Sequence, residues 1–376
     1  MNELTREETL VVAVTPAKGE ERGEGVADVS LGPRRASYNP ATGALLGYVP
    51  LVGRAGIDAA VRTARAAQEA WAARSPRQRA RALHQFRDAL MEDFDAVARL
   101  ISLEQGKPLP EAMSVELMSV LAQLKWLTEG GVKLLEGRKT PLYHPLFSAK
   151  EGRYVMEPLG VVAVISPWNY PFGIPAAQVL GALLAGNGVV LKPSPLVPLV
   201  GQKIAELARQ TEMPAGLLGV IHVDDADAPH LTSHPGVDKI IFTGSTATGR
   251  KVMASAAQVP TPVVLELGGK DAAIVAPDAE LERAVCGIVW YALANSGQTC
   301  AAVERVYVHQ DIYDRFVEEA VALVESLNVG EGTQVGSEIG PLTNERQLEI
   351  VEAQVEDALA SGARVLAGGH RMQGPG

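Results

Sequence analysis

The chain has 376 residues, 47% hydrophobic and 21% charged, which is enough for two or three domains with buried cores. Its net charge of −10 and pI near 5.3 repel phosphate backbones and argue against nucleic acid as a partner. The acidic start MNELTREETL does not read as a secretory signal, and two cysteines give no disulfide framework, so a reducing cytoplasm is expected.

In chain order, residues 1–36 are charged, glycine-bearing and aperiodic, and read as a flexible tail. From Ile57 to about Glu104 the pattern is helical, with Ser75–Pro76 as an N-cap and first-turn pair. A further helix is predicted from Glu111 to Leu135. Residues 138–157 mix prolines with alternating apolar positions and predict an extended hairpin. Regular alternation follows. Strands are predicted at Val161–Ile165, Val189–Lys192, Leu218–His222, Lys239–Thr243 and Val263–Leu267. Helices are predicted at Ala176–Ala185, Val200–Gln210, Ala226–Thr232 and Thr246–Ala257. Apolar strands separated by helices imply an α/β fold, with right-handed crossovers and a parallel sheet covered on both faces.

The uncharged stretch Tyr170–Leu191 is long enough to cross a bilayer, but Pro171, Pro175 and four glycines interrupt it. It reads as helix, turn and strand, and no membrane partner is expected. A second α/β stretch has strands at Ala272–Val275 and Arg305–His309, with helices at Leu281–Asn295 and Tyr313–Leu327. A helix over Glu345–Ser361 and a strand signal at Arg364–Leu366 end the pattern. The seven histidines are scattered and no Cys/His spacing resembles a metal site.

The chemistry concentrates on two runs. Cys300 closes NSGQTC, 34 residues after Glu266 in LELGGK. A soft nucleophile and a carboxylate, each on a glycine-bracketed turn, suggest a thiol that is acylated and a base that later frees it. A thiol of ordinary pKa is only a few per cent thiolate at neutral pH, so such a cysteine needs helpers. Cys286, in AVCGIVW, is expected in a helix core. Glu266 follows three apolar residues, and a carboxylate in a buried strand is costly unless used or paired.

The usual G-x-G-x-x-G fingerprint is absent. Gly244-Ser245-Thr246-Ala247-Thr248-Gly249 lies instead between a predicted strand and helix. Free N–H groups there attract anions, and Ser245 can bond a phosphate oxygen or serve as a simple N-cap. Lys192 ends a predicted parallel strand, where α/β sheets bind ligands; an exposed strand-ending charge is the alternative.

Five motifs fall in register: SPWNYPF (166–172), KPS (192–194), FTGSTATG (242–249), LELGGK (265–270) and GQTC (297–300). Together with YNPATGALLGYVP (38–50) and EQGKP (104–108), they resemble the aldehyde dehydrogenase superfamily over roughly nine-tenths of the sequence. The resemblance implies a Rossmann-variant cofactor domain at 37–137 and 158–267, with a bridging, oligomerisation hairpin at 138–157. It also implies a second α/β catalytic domain at 268–376.

Carried over residue by residue, it makes Cys300 the nucleophile, Glu266 the base that activates water and Asn169 an oxyanion donor. Ser166, Trp168, Lys192, Gly244, Ser245 and Gly249 would contact the dinucleotide. A small-molecule aldehyde is the implied substrate, NAD or NADP the cofactor, and a homodimer or homotetramer the assembly.

Two departures stand out. Pro195 occupies the position of a common glutamate that accepts hydrogen bonds from the adenine ribose. Its lack of charge leaves Lys192 and Ser194 free to meet a phosphate and leans the expectation to NADP. The sequence also stops before the family's Glu-x-Phe-Gly-Pro loop and its C-terminal strand, so the catalytic domain is expected to be incomplete. A catalytically silent binding relative is the alternative; a coenzyme-A-acylating relative would have no need of Glu266.

Overall fold

The computed structural model describes residues 32–147 and 149–372. Residues 1–31 of the expected tail lie outside these, and Arg34–Ala36 belong instead to the first strand. That strand, β1 (Arg34–Tyr38), pairs antiparallel with β2 (Leu45–Pro50). Three helices follow: α1 (Arg54–Ala72), α2 (Pro76–Glu92) and α3 (Phe94–Gln105). Ser75 begins α2 with a capping box: its hydroxyl accepts from Gln78 N (3.3 Å) while Gln78 Oε1 accepts from Ser75 N (2.8 Å).

The helix expected at Glu111–Leu135 is a longer rod. It comprises α4 (Leu109–Glu111), α5 (Met118–Trp126) and α6 (Val132–Leu135), joined by π-helical turns at Ala112–Leu117 and Leu127–Gly131. Periodicity does not reveal such turns, because each shifts the helical face by only one residue. The expected hairpin is present as β3 (Arg138–Thr140) paired antiparallel with β4 (Gly152–Tyr154).

The central sheet then builds outward from β5 (Val161–Ile165), which is buried along its whole length. Side chains on a strand alternate between faces, so Val162 and Val164 enter one core while Val161, Ala163 and Ile165 enter the other. After α7 (Gly173–Leu184) come β6 (Gly188–Lys192), α8 (Pro198–Ala208) and β7 (Leu218–Val220) on one side. The chain returns through α9 (Ala228–Thr232) to β8 (Lys239–Thr243), α10 (Thr246–Ala256) and β9 (Val263–Glu266) on the other. The five strands are parallel in the order β7-β6-β5-β8-β9. The winding direction reverses between β5 and β8, which opens a crevice at their carboxyl ends.

The second α/β layer pairs β10 (Asp271–Val275) with β11 (Val303–Val308) in parallel. It packs α11 (Leu281–Leu293) and α12 (Tyr313–Ser326) around Val275, Val285, Val289 and Phe316. Helix α13 (Glu345–Ala360) follows. Arg364–Leu366 forms no strand: it finds no pairing partner among the described residues, and a lone strand leaves its backbone groups unsatisfied. Cys286 is on α11 as expected, but on its exposed side rather than in the core. The core positions of this helix are Leu281, Val285 and Val289, and Cys286 lies one residue past that stripe.

Candidate active site

Helix α11 ends two residues earlier than its periodicity suggests. Asn295 and Ser296 adopt left-handed backbone with φ of 54° and 58°, and Gly297 continues at 74°. Each non-glycine residue so placed costs of order 1–3 kcal/mol and persists only where its surroundings hold it. Here Asn295 N donates to Glu111 Oε2 at 2.7 Å, and Asn295 Nδ2 donates to the Asn169 carbonyl at 2.8 Å. Ser296 Oγ donates to the Gly340 carbonyl at 2.7 Å. Gln298 Nε2 donates to the Asn295 carbonyl at 2.9 Å, while its Oε1 accepts from Thr343 N at 2.9 Å. The chain leaves this clamped turn with Cys300 exposed.

The facing loop follows β5. Asn169 Nδ2 donates to the Gln298 carbonyl at 2.8 Å, which joins the SPWNYPF run to the residues just before Cys300. Beneath it lies a buried ion pair. Lys107 Nζ sits 2.6 Å from Glu116 Oε1, donates to the Asn169 carbonyl at 2.8 Å and lies 3.9 Å from the Tyr170 ring centroid. Glu116 Oε2 accepts from Phe172 N (2.8 Å) and Gly173 N (2.9 Å), satisfying orphan donors at the start of α7.

Burial pushes the Lys107 pKa down while Glu116 pulls it back. Burial pushes Glu111 up, opposed by the Asn295 N–H. Tyr170 shares a 2.6 Å hydrogen bond with Thr299 Oγ1, and burial pushes its pKa up to about 12. The phenol therefore stays neutral beside the cysteine.

Glu266 ends β9, and its carbonyl accepts from Gly244 N at 3.0 Å. Its side chain is exposed, which corrects the argument from a buried carboxylate: β9 is the sheet's edge strand and only half covered. The turn that follows lies against the cysteine. A Cβ on Gly269 would come within 2.6 Å of the Cys300 carbonyl oxygen, so this glycine permits the approach.

The expected cofactor residues line the carboxyl edge of the sheet. Ser166, just past β5, donates its N–H to the Lys192 carbonyl at 3.1 Å, and both residues are buried. Burial lowers the Lys192 pKa, opposed by Asp225. Ser194 is buried and its hydroxyl accepts from Leu196 N at 3.3 Å; Trp168 is half-buried. Gly244 follows β8, and Ser245 caps α10 by accepting from Thr248 N at 3.2 Å, the plainer of its two expected roles. Gly249 faces inward: a Cβ there would meet Leu267 Cδ2 at 2.7 Å, so its visible work is to seat α10 against the chain after β9.

One group of potential metal ligands escapes sequence spacing. Asp58, His230 and His234 bring ligand atoms within 4.8 Å of one another. His234 Nδ1 accepts from Gly236 N at 2.9 Å, which leaves Nε2 as the protonated nitrogen of the neutral ring, 3.2 Å from Asp58 Oδ1. This is a hydrogen-bonded tie between α1 and α9. Among the described residues no helix is long and apolar enough to cross a membrane.

Motif reading missed Glu111, Glu116, Tyr170 and Asn295 as parts of the site. The available signal was a lysine and a glutamate, Lys107 and Glu116, bordering otherwise apolar helical positions.

The sequence profile of the aldehyde dehydrogenase family matches residues 29–376. The chain is 40% identical to the 3,6-anhydro-alpha-L-galactose dehydrogenase of Streptomyces coelicolor over 343 residues, covering 89% of this chain and 67% of that one. It is 39% identical to a glutarate-semialdehyde dehydrogenase of Pseudomonas aeruginosa, covering 88% of this chain and 68% of that one. It thus spans about two thirds of these relatives' length. Two solved structures superpose with a TM-score of 0.87. An E. coli NADP dependent enzyme is 38% identical, with coverage of 91% here and 70% there. The NAD+ complex of a Bacillus cereus aldehyde dehydrogenase is 32% identical, with coverage of 92% and 70%. The chain belongs to the aldehyde dehydrogenase family.

Proposed function

We propose that the chain oxidises an aldehyde to its carboxylic acid with NAD or NADP, through a thioester on Cys300. The observation that carries this reading is the hydrogen bond from Asn169 Nδ2 to the Gln298 carbonyl, which holds a side-chain amide beside the cysteine loop. That amide has a second N–H to offer.

The Cys300 thiolate attacks the aldehyde carbon, and the carbonyl oxygen becomes an oxyanion that Asn169 and the Cys300 backbone N–H receive. Loss of hydride from the carbon leaves an acyl thioester. Glu266, exposed to solvent at the end of β9, takes a proton from water, and the resulting hydroxide cleaves the thioester to acid and free thiol. The residues fit a dinucleotide at the sheet edge: a buried cation at Lys192, an open crevice past β5 and β8, and the N-terminus of α10. When bound, its nicotinamide supplies the hydride acceptor. Ser166, Trp168, Lys192, Ser194, Gly244, Ser245 and Gly249 would hold or shape that site, and Pro195 leans the choice toward NADP.

The relative named for glutarate semialdehyde makes ω-carboxylated aldehydes part of a substrate panel. Cys300→Ala should abolish formation of reduced nicotinamide across that panel. Turnover retained by the variant would remove the cysteine from the mechanism. A cytoplasmic homo-oligomer joined through the 138–157 hairpin completes the reading, supported by the exposed Tyr143, Leu146 and Phe147.

A further inference from the structure

Three cationic or imidazole side chains from separate elements meet at the carboxyl edge of β6 and β7. Lys192 ends β6 and is buried. His222 follows β7, is 5% exposed, and its Nε2 is buried without a hydrogen-bond partner among the described residues. Arg35 reaches the same edge from β1.

The placement of Arg35 is fixed by its neighbours. Ser37, two residues on and so on the same strand face, donates to Glu104 Oε1 at 2.5 Å. Glu104 in turn accepts from Leu199 N (2.8 Å) and Val200 N (2.7 Å) at the start of α8, which ties β1 to the chain just past Lys192-Pro193-Ser194-Pro195. The Arg35 guanidinium pairs with Asp224 at 2.6 Å, across a partner that is 58% exposed. Burial holds His222 near a pKa of about 4, with the charges of Lys192 and then Arg35 adding to the effect.

We infer that Arg35 is a specificity-determining residue that, with Lys192 and the open Nε2 of His222, receives the 2′-phosphate of NADP. This rests on the cofactor assignment proposed above and deepens it. A guanidinium is a good partner for a phosphate because its planar fork donates two parallel hydrogen bonds. Asp224 holds one arm of that fork in the free protein, and as a surface partner it gives way to a dianion at little cost. Asp224 and Asp225 oppose the phosphate, so the arrangement sets a graded preference rather than an absolute one.

The test uses binding, not turnover. ADP-ribose and 2′-phospho-ADP-ribose are titrated calorimetrically into the intact chain and into Arg35→Gln and Asp224→Asn. The wild type should bind the phosphorylated probe more tightly. Arg35→Gln should lose about ten- to a hundredfold for that probe and stay within threefold for ADP-ribose. Asp224→Asn, which removes no cation, should gain severalfold for the phosphorylated probe alone, and it carries the test if Arg35→Gln does not fold. Equal losses for both probes, or no change in either variant, would overturn the assignment to Arg35 while leaving the dinucleotide site standing. If neither probe binds the wild type, the cofactor reading falls and this assignment with it.

Discussion

Cys300 sits exposed at the end of a turn that three left-handed residues impose. The chemistry proposed for it depends on neighbours that are held in place, and Asn169, bonded to the Gln298 carbonyl, is one of them. Asn169→Ala should lower kcat by roughly 10²–10³ if its amide receives the oxyanion. A change in KM alone would make it a substrate contact instead.

Glu104 offers a pH test. Burial pushes its pKa up to about 7, opposed by Ser37 and the Leu199 and Val200 N–H groups. A folded-state pKa above the unfolded value means that the associated stability is fully present below about 4.5. It is lost as pH rises through about 7. Wild type should therefore lose up to about 3 kcal/mol, relative to Glu104→Gln, between pH 4.5 and pH 8. A stability difference between the two proteins that stays constant across that range would show that folding does not raise the Glu104 pKa.

At the scale of elements, the rod formed by α4, α5 and α6 matters more than its sequence pattern suggests. Its first π-helical turn carries Glu116 to the N-terminus of α7 and against Lys107, with both side chains fully buried. Lys107→Met should cost roughly 3–5 kcal/mol, a fall in Tm of about 10 °C, because it strands a buried carboxylate. Adding Glu116→Gln to that variant should restore part of the loss. A double variant less stable than the single would mean that helix capping, not charge pairing, dominates.

The strands and helices of the sheet were legible because VVAVI and its like bury both faces, so apolar runs bounded by turns leave little ambiguity. The β1–β2 pair, the π-helical turns and the left-handed bend at Asn295 were not, since each is set by long-range partners that local pattern does not carry. Among the candidate site residues, the motifs marked loops that the fold brings together, as Asn169 and Gln298 show. Burial was not: Glu266 and Cys286 both lie on outer faces that only the packed fold defines.

For the whole molecule, the β3–β4 hairpin exposes Tyr143 at 90%, Leu146 at 81% and Val155 at 72%. An apolar arm of this kind is an interaction surface or an aggregation hazard. Leu146→Asp combined with Phe147→Asp should reduce the mass measured by light scattering after gel filtration to that of one chain. An unchanged mass, or a wild type already at the mass of one chain, would contradict the proposed interface.

The central claim is that the sulfur of Cys300 carries the acyl group and that Glu266 directs water to it. Intact-protein mass spectrometry of Glu266→Gln, quenched early after mixing with NAD(P) and a simple aldehyde, tests this most directly. The account predicts one acyl adduct per chain, mapped to the peptide containing Cys300 and accompanied by a stoichiometric burst of reduced cofactor. A burst without an adduct, or an adduct on another residue, would contradict it.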